Sequence, residues 1–206
     1  MNKLLIVVIV IGLSVSGYSG FQWYEGRKAV KNIAAEEVVV QAKPIKQLNK
    51  NREEISFPDI PIMSDEMSRF YKGEEMAELR IPVIGKSYSV YWGTDDDTLD
   101  QGVGMYVSEW TTTPDQLRHT VVSGHRDTVF RELGDVKEGD EITVVYDGVH
   151  YIYEVKDIWI TDAEDRTVIV RKDNAILTLT TCYPFNFIGN APDRYIIQAE
   201  LIGKEI

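Results

Sequence analysis

From residue 76 onward the chain alternates between apolar and polar positions with a period of two, the pattern of half-buried strands. Residues 76–83 put Ala77, Leu79 and Ile81 on one face. Residues 87–92 read as a second strand, ended by Gly93-Thr94 and the acidic run Asp95-Asp96-Asp97. A short glycine-marked strand follows at 102–107, and another at 120–123 runs into Gly124-His125-Arg126. Asp127 reads as the N-cap of a short helix over 128–133, closed by Gly134. Strands at 141–146 and 149–155 flank Asp147-Gly148, the pair that makes a two-residue type I′ hairpin turn, and 155–160 continues or bends the second strand. A polar connection over 161–173, with room for a turn of helix, leads to a strand at 175–182, and the last strand covers 194–202. Seven to eight short strands with few helices define a mainly β protein, closed or nearly closed into a barrel.

Residues 4–24 break the alternation, being apolar or small throughout with no charge. At helical rise they span roughly 30 Å, the thickness of a bilayer core. Tyr18, Phe21, Trp23 and Tyr24 give the far end an aromatic belt suited to the lipid–water interface. An uncleaved transmembrane anchor is the favoured reading; the alternative is a signal peptide cut near Ser16-Gly17. Lys3 precedes the span and Arg27, Lys28 and Lys31 follow it, so a literal positive-inside count puts the rest of the chain in the cytoplasm. Residues 25–58 are charged and polar apart from Val38–Val40, and read as a stalk or linker with a helix over 29–41. The alternative is an appendage packed on the domain. The expected division is an anchor at 1–24, a stalk at 25–58 and a folded domain at 59–206.

Charge and composition narrow the function. The formal net charge is −11 and no lysine–arginine run occurs in the folded part, which argues against nucleic-acid binding. One cysteine excludes an internal disulfide and a multi-cysteine zinc site. Asp95-Asp96-Asp97 reads as a solvated acidic loop rather than a calcium site, since calcium needs ligands converging from several positions. No metal or cofactor is expected. Trp92, Trp110 and Trp159 read as packing residues, His119 as an exposed or paired residue before a strand, and His150 as a surface residue of the hairpin.

The chemistry concentrates at one strand end. In 175–182 one face carries Ala175, Leu177, Leu179 and Thr181, and the other Ile176, Thr178, Thr180 and Cys182. A cysteine kept for packing favours the apolar face, but Cys182 stands on the more polar one, at the strand's open end. If this strand pairs antiparallel with 194–202 across the 183–193 loop, Cys182 and Arg194 become neighbours at one rim. Parity agrees, because Arg194, Ile196, Gln198 and Glu200 share the less apolar face of their strand. His125 also sits at a strand end. An imidazole can take or share a thiol proton and later protonate a leaving amine, and an arginine can bind an acyl oxyanion through its fixed fork of donors. On residue types alone, a core thiol, a structural histidine and an Asp193–Arg194 ion pair stay open as alternatives.

The motifs carry a further reading. Thr178-Leu179-Thr180-Thr181-Cys182 resembles the TLxTC signature of sortases, the membrane-anchored transpeptidases of Gram-positive bacteria. Ser123-Gly124-His125-Arg126 resembles the segment that holds their catalytic histidine, and Asp193-Arg194-Tyr195-Ile196-Ile197 the one that holds their arginine. Leu79-Arg80-Ile81-Pro82, Gly93-Thr94 and Phe130-Arg131-Glu132-Leu133 match further landmarks in order, and the likeness covers about residues 74–202. Met105 departs from it, where many members have histidine. One N-terminal span and no C-terminal one makes the chain resemble class D sortases more than pilus-type class C ones.

The resemblance implies an eight-stranded sortase barrel behind a transmembrane helix, with its catalytic domain outside the cell despite the charge count. It implies cleavage of an LPxTG-like sorting signal after threonine, with Cys182 as nucleophile, His125 as general acid and base, and Arg194 at the oxyanion or positioning the substrate. In the family the active Cys–His pair is the minor, reverse-protonated form. The 161–173 connection corresponds to the loop that walls the signal pocket, so Ile169 and Val170 become substrate contacts, and Thr180 and Thr181 line the groove beside the nucleophile. The implied partners are sorting-signal proteins and an amine acceptor, either a peptidoglycan precursor or a pilin lysine. Two rival functions share these residues: a purely hydrolytic cysteine protease and a non-catalytic anchored binding module.

Overall fold

The structure is a computed structural model and describes residues 3–28, 30–33, 69–186, 189 and 191–206. Helix α1 (Lys3–Lys28) is the apolar N-terminal segment, extending past residue 24. Its stretch Lys3–Phe21 has mean hydropathy 2.2 and is unburied, so by length and composition it is compatible with a membrane span. Strands β1 (Val30–Asn32), β2 (Glu75–Ile81), β3 (Lys86–Trp92), β4 (Val103–Met105), β5 (His119–Ser123), β6 (Glu141–Tyr146), β7 (Val149–Asp162), β8 (Ile176–Tyr183) and β9 (Asp193–Glu205) form one sheet in the order β1-β3-β2-β6-β7-β9-β8-β5-β4. Pairing of β4 back onto β3 closes β2–β9 into the eight-stranded barrel that the resemblance implied.

Local rules explain the frame. Asp147 and Gly148 both have positive φ, 51° and 78°, as the type I′ turn between β6 and β7 requires. β7 does continue past Val155, running on to Asp162. Register shifts at Ile152/Tyr153 and Val155/Asp157 let it coil along β9, as extra residues in one strand add bend and twist. Inside, Leu79, Ile81, Phe130, Leu177, Leu179 and Ile197 are fully buried, and Tyr88 meets Phe130 edge to face at 5.6 Å. Met105 is core as well, paired with Trp92 on one side and Val122 on the other.

Several expectations are corrected. Val30–Asn32 is strand, not the start of a helix, because β4 covers only Val90–Trp92 on its edge of β3 and β1 takes up the part beside Lys86–Tyr88. Ile33 N–H then donates to the Gly85 carbonyl at 3.0 Å. The rest of the expected stalk, 34–58, lies outside the described residues. No α-helix forms over 128–133; the segment is a series of turns followed by a 3-10 turn at Leu133–Asp135. Drawing Val129, Phe130 and Leu133 together into the core sets the backbone there instead. Asp95-Asp96-Asp97 is not a bare acidic loop: Asp95 caps helix α2 (Asp96–Leu99), accepting from the Thr98 N–H and hydroxyl and pairing with Lys72. Trp92 and Trp159 are buried and half-buried, but Trp110 is exposed. His119 lies inside β5 and is fully buried, and His150 is half-buried on β7.

Candidate active site

β8 and β9 run antiparallel with Cys182 opposite Arg194, Thr180 opposite Ile196 and Thr178 opposite Gln198. Both Cys182 and Arg194 are half-buried at the mouth of a groove of about 1000 Å³. Arg194 Nη1 donates to the carbonyls of Asp193 at 3.0 Å and Ala191 at 3.4 Å, which aims the side chain without spending its whole fork. No Asp193–Arg194 side-chain ion pair forms among the described residues, so the bland reading of this arginine falls away. Cys182 is a free thiol, and it is not in the core.

His125 reaches the same rim through a parallel pair. β5 lies beside β8 with Ser123 opposite Thr180, so both strands end at the same edge of the barrel. The link continues past the ladder. Gly124 N–H donates to the Thr180 carbonyl at 3.2 Å, and the buried Thr181 hydroxyl donates to the Gly124 carbonyl at 2.7 Å. A side chain at Gly124 would meet Val129 Cγ2 at 2.8 Å and Phe130 Cδ2 at 2.9 Å, so only glycine lets the chain pass this close to the core. The residue before His125 is thereby tied to the two residues before Cys182. His125 Nε2 also lies 3.9 Å from Asp100 Oδ1, at the C-terminal end of α2, a neighbour the sequence did not reveal.

His125, Cys182 and Arg194 all line the groove, as do Thr180, Thr181, Ile169 and Val170. Thr181 borders it while its hydroxyl is committed to Gly124. One wall is the connection from β7 to β8, and Tyr106 and Trp110 stand on the groove as well. The wall begins with a knot of hydrogen bonds. The Asp165 carboxylate accepts from the Thr161 hydroxyl and from the Thr167 N–H and hydroxyl, and these donors hold its pKa below the ordinary carboxylate value. Glu164 N–H donates to Asp162 at 2.8 Å. Among the described residues no group of three or more His, Cys, Asp or Glu side chains is placed to hold a metal ion.

A closed β-barrel with a lone thiol, an imidazole and a guanidinium at one rim defines a class, and the comparisons agree with it. A family model described as the sortase domain matches residues 79–202. The chain belongs to the sortase family, whose members are cysteine transpeptidases associated with the cell surface. Its likeness within the family runs to class D. The curated Sortase D of Bacillus subtilis (strain 168) is 31% identical over 204 residues, spanning 98% of this chain and 100% of that one. The solved catalytic domain of SrtD from B. anthracis is 59% identical, covering 65% of this chain and 91% of that chain with a TM-score of 0.58. A Clostridium perfringens Sortase D5 transpeptidase is 28% identical, covering 68% and 89% with a TM-score of 0.58.

Proposed function

We propose that this chain is a membrane-anchored transpeptidase that cleaves an LPxTG-like sorting signal after threonine and transfers the protein to an amine of a peptidoglycan precursor. The observation that carries the reading is the shared rim: Cys182 opposite Arg194 in one ladder, and His125 tied to the same strand by Thr181 and Gly124. In the first half-reaction the Cys182 thiolate attacks the threonine carbonyl carbon. The resulting oxyanion takes hydrogen bonds from Arg194, whose Nε and Nη2 are unengaged among the described residues. His125, as imidazolium, protonates the leaving amine as the C–N bond breaks, which leaves a thioester. In the second half the acceptor amine loses its proton to His125 and attacks the thioester. The new amide forms and the thiolate returns. The proton count balances over the cycle, and the chemistry draws only on thiol, imidazole and guanidinium.

Thr180, Ile169 and Val170 are proposed to contact the signal, and Thr181 to hold the His125 loop. Residues 1–24 are proposed to anchor the enzyme and 59–206 to form the catalytic domain, which is proposed to face the outside; of the 25–58 connection, residues 30–32 join the domain's sheet as β1. Added protease should remove that domain from intact cells; a domain shielded until lysis would sink the orientation.

The central test is a panel of LPxTG- and LPxTA-type peptides incubated with the full chain and candidate amines, with products identified by mass. Amide products with the wall-precursor amine support the proposal. Amide products with a pilin lysine alone favour pilus polymerisation, and free acid alone, whatever the amine, favours a hydrolytic protease. Cys182→Ala is expected to abolish cleavage; retained turnover would remove Cys182 as nucleophile.

A further inference from the structure

His119 opens β5 and is fully buried, yet both its ring nitrogens are engaged. Nδ1 lies 2.6 Å from the Val170 carbonyl oxygen and Nε2 lies 2.8 Å from Thr178 Oγ1. A carbonyl can only accept, so Nδ1 carries the ring proton and Nε2 accepts the proton of the Thr178 hydroxyl. Gln198 fits this order, since its amide donates to the same hydroxyl oxygen at 3.3 Å. The result is a one-directional chain from Gln198 on β9 through Thr178 on β8 and His119 on β5 to Val170. It ends on the connection that walls the groove.

The ring stays neutral while it does this. Burial pushes the pKa of His119 down to about 4, with the Val170 carbonyl opposing and Lys172 adding to the fall. A neutral histidine is thus a fixed donor at any pH near neutrality. The other polar ties of the wall lie toward its ends, around Asp165 and where Arg118 donates to the Asp173 carbonyl. Val170 lies between them, next to Ile169, and both line the groove.

We propose that His119 is a positioning residue for the sorting-signal wall: its Nδ1–H donor fixes the Val170 carbonyl and so sets the face that Ile169 and Val170 present to a bound peptide. The inference rests on the groove being the peptide site. His119 does not touch the reacting atoms and acts through the wall.

Two variants of the full chain separate the two ends of the ring. The amide of His119→Asn falls near the Nδ1 position and keeps the donor to Val170. The longer His119→Gln reaches toward Thr178 and gives up Val170. His119→Gln is expected to raise KM for a sorting peptide about tenfold with kcat within about twofold, whereas His119→Asn stays within about threefold in KM. Alkylation of Cys182 by iodoacetamide, which needs no wall, should proceed at the wild-type rate in both. Thr178→Val cuts the chain on the far side of the ring and is expected to leave KM unchanged. An unchanged KM in His119→Gln overturns the inference. So does a Thr178→Val variant whose KM rises as much as that of His119→Gln, or a His119→Asn variant that loses KM, kcat and thermal stability together. A wild-type chain that cleaves no sorting peptide overturns the proposed function itself, and this inference with it.

Discussion

Cys182 and Arg194 are direct partners in the β8–β9 ladder, so their side chains leave the sheet on one face at one rim. Directly opposed residues hold their Cβ atoms about 4.5–5.5 Å apart, a spacing fixed by the sheet and not by a flexible loop. In the proposed mechanism the Arg194 fork donates to the oxyanion of the Cys182 adduct, and this pairing keeps the two residues side by side. Arg194→Ala is expected to lower kcat/KM by about 10²–10³. Arg194→Lys is expected to recover only part of that, because a point charge replaces a planar fork. Melting temperatures should stay near wild type, since the side chain is half-exposed. Steady-state kinetics on a sorting peptide decides it; full activity in Arg194→Lys would reduce the role to charge alone.

His125 depends on a threonine that the groove barely sees. Thr181→Val keeps the shape but removes the donor to the Gly124 carbonyl, a buried bond of 2.7 Å. The loss is expected to lower stability by about 1–3 kcal/mol through the unsatisfied carbonyl and to cut kcat roughly tenfold as His125 loosens. Gly124→Ala should be worse for stability, because its Cβ must displace Phe130 or Val129. Thermal melts with kinetics on both variants check this. If Thr181→Val loses stability but keeps wild-type kcat, the bond serves the fold and not the histidine.

The strands, the hairpin at Asp147-Gly148 and the Cys182–Arg194 pairing were legible because each rests on local pattern: alternation, turn chemistry and the parity of two strands joined by one loop. The placement of His125 was not, since it depends on β5 pairing in parallel with β8, a contact between distant segments that leaves no periodic mark. His119 escaped for a related reason. Arg118 and Thr120 flank it, and the two groups that satisfy its buried ring, the Val170 carbonyl and the Thr178 hydroxyl, come from distant segments. The short α2 was hidden in an acidic run whose first residue, Asp95, turned out to be its cap. The turns at 126–132 went the other way: capping signals were present, but burial of Val129 and Phe130 overrode them.

Trp110 is the aromatic whose role the sequence misjudged. It is 46% exposed and lines the groove, on a turn that Ser108 and Thr111 hold by their own hydrogen bonds. An exposed aromatic on a preformed turn offers a peptide a large apolar contact at little ordering cost. Trp110→Ala is expected to raise KM several-fold while leaving the melting temperature unchanged. In a Cys182→Ala background, the change in tryptophan emission on adding a sorting peptide should disappear when Trp110→Phe is introduced. Emission that still responds would assign the signal to Trp92, Trp159 or Trp23 and remove Trp110 from the binding surface.

Burial of His119 makes an acid-stability prediction with a definite sign. Its folded pKa, pushed down to about 4, lies below the ordinary histidine value of 6.5, so between these limits the unfolded chain holds the extra proton. Stability from this group is therefore full above about pH 6.5 and is lost as pH falls toward 4, by roughly 3 kcal/mol at most. Protonation would also put a second donor against the Thr178 hydroxyl, whose proton Nε2 accepts in the neutral state. Carboxylates titrate in part of the same window, so the test is a difference. The stability of wild type relative to His119→Asn, measured by urea unfolding at several pH values, should shrink as pH drops from 6.5 to 4 and be flat above it. A difference that is constant across that window would mean His119 is not held neutral by its burial.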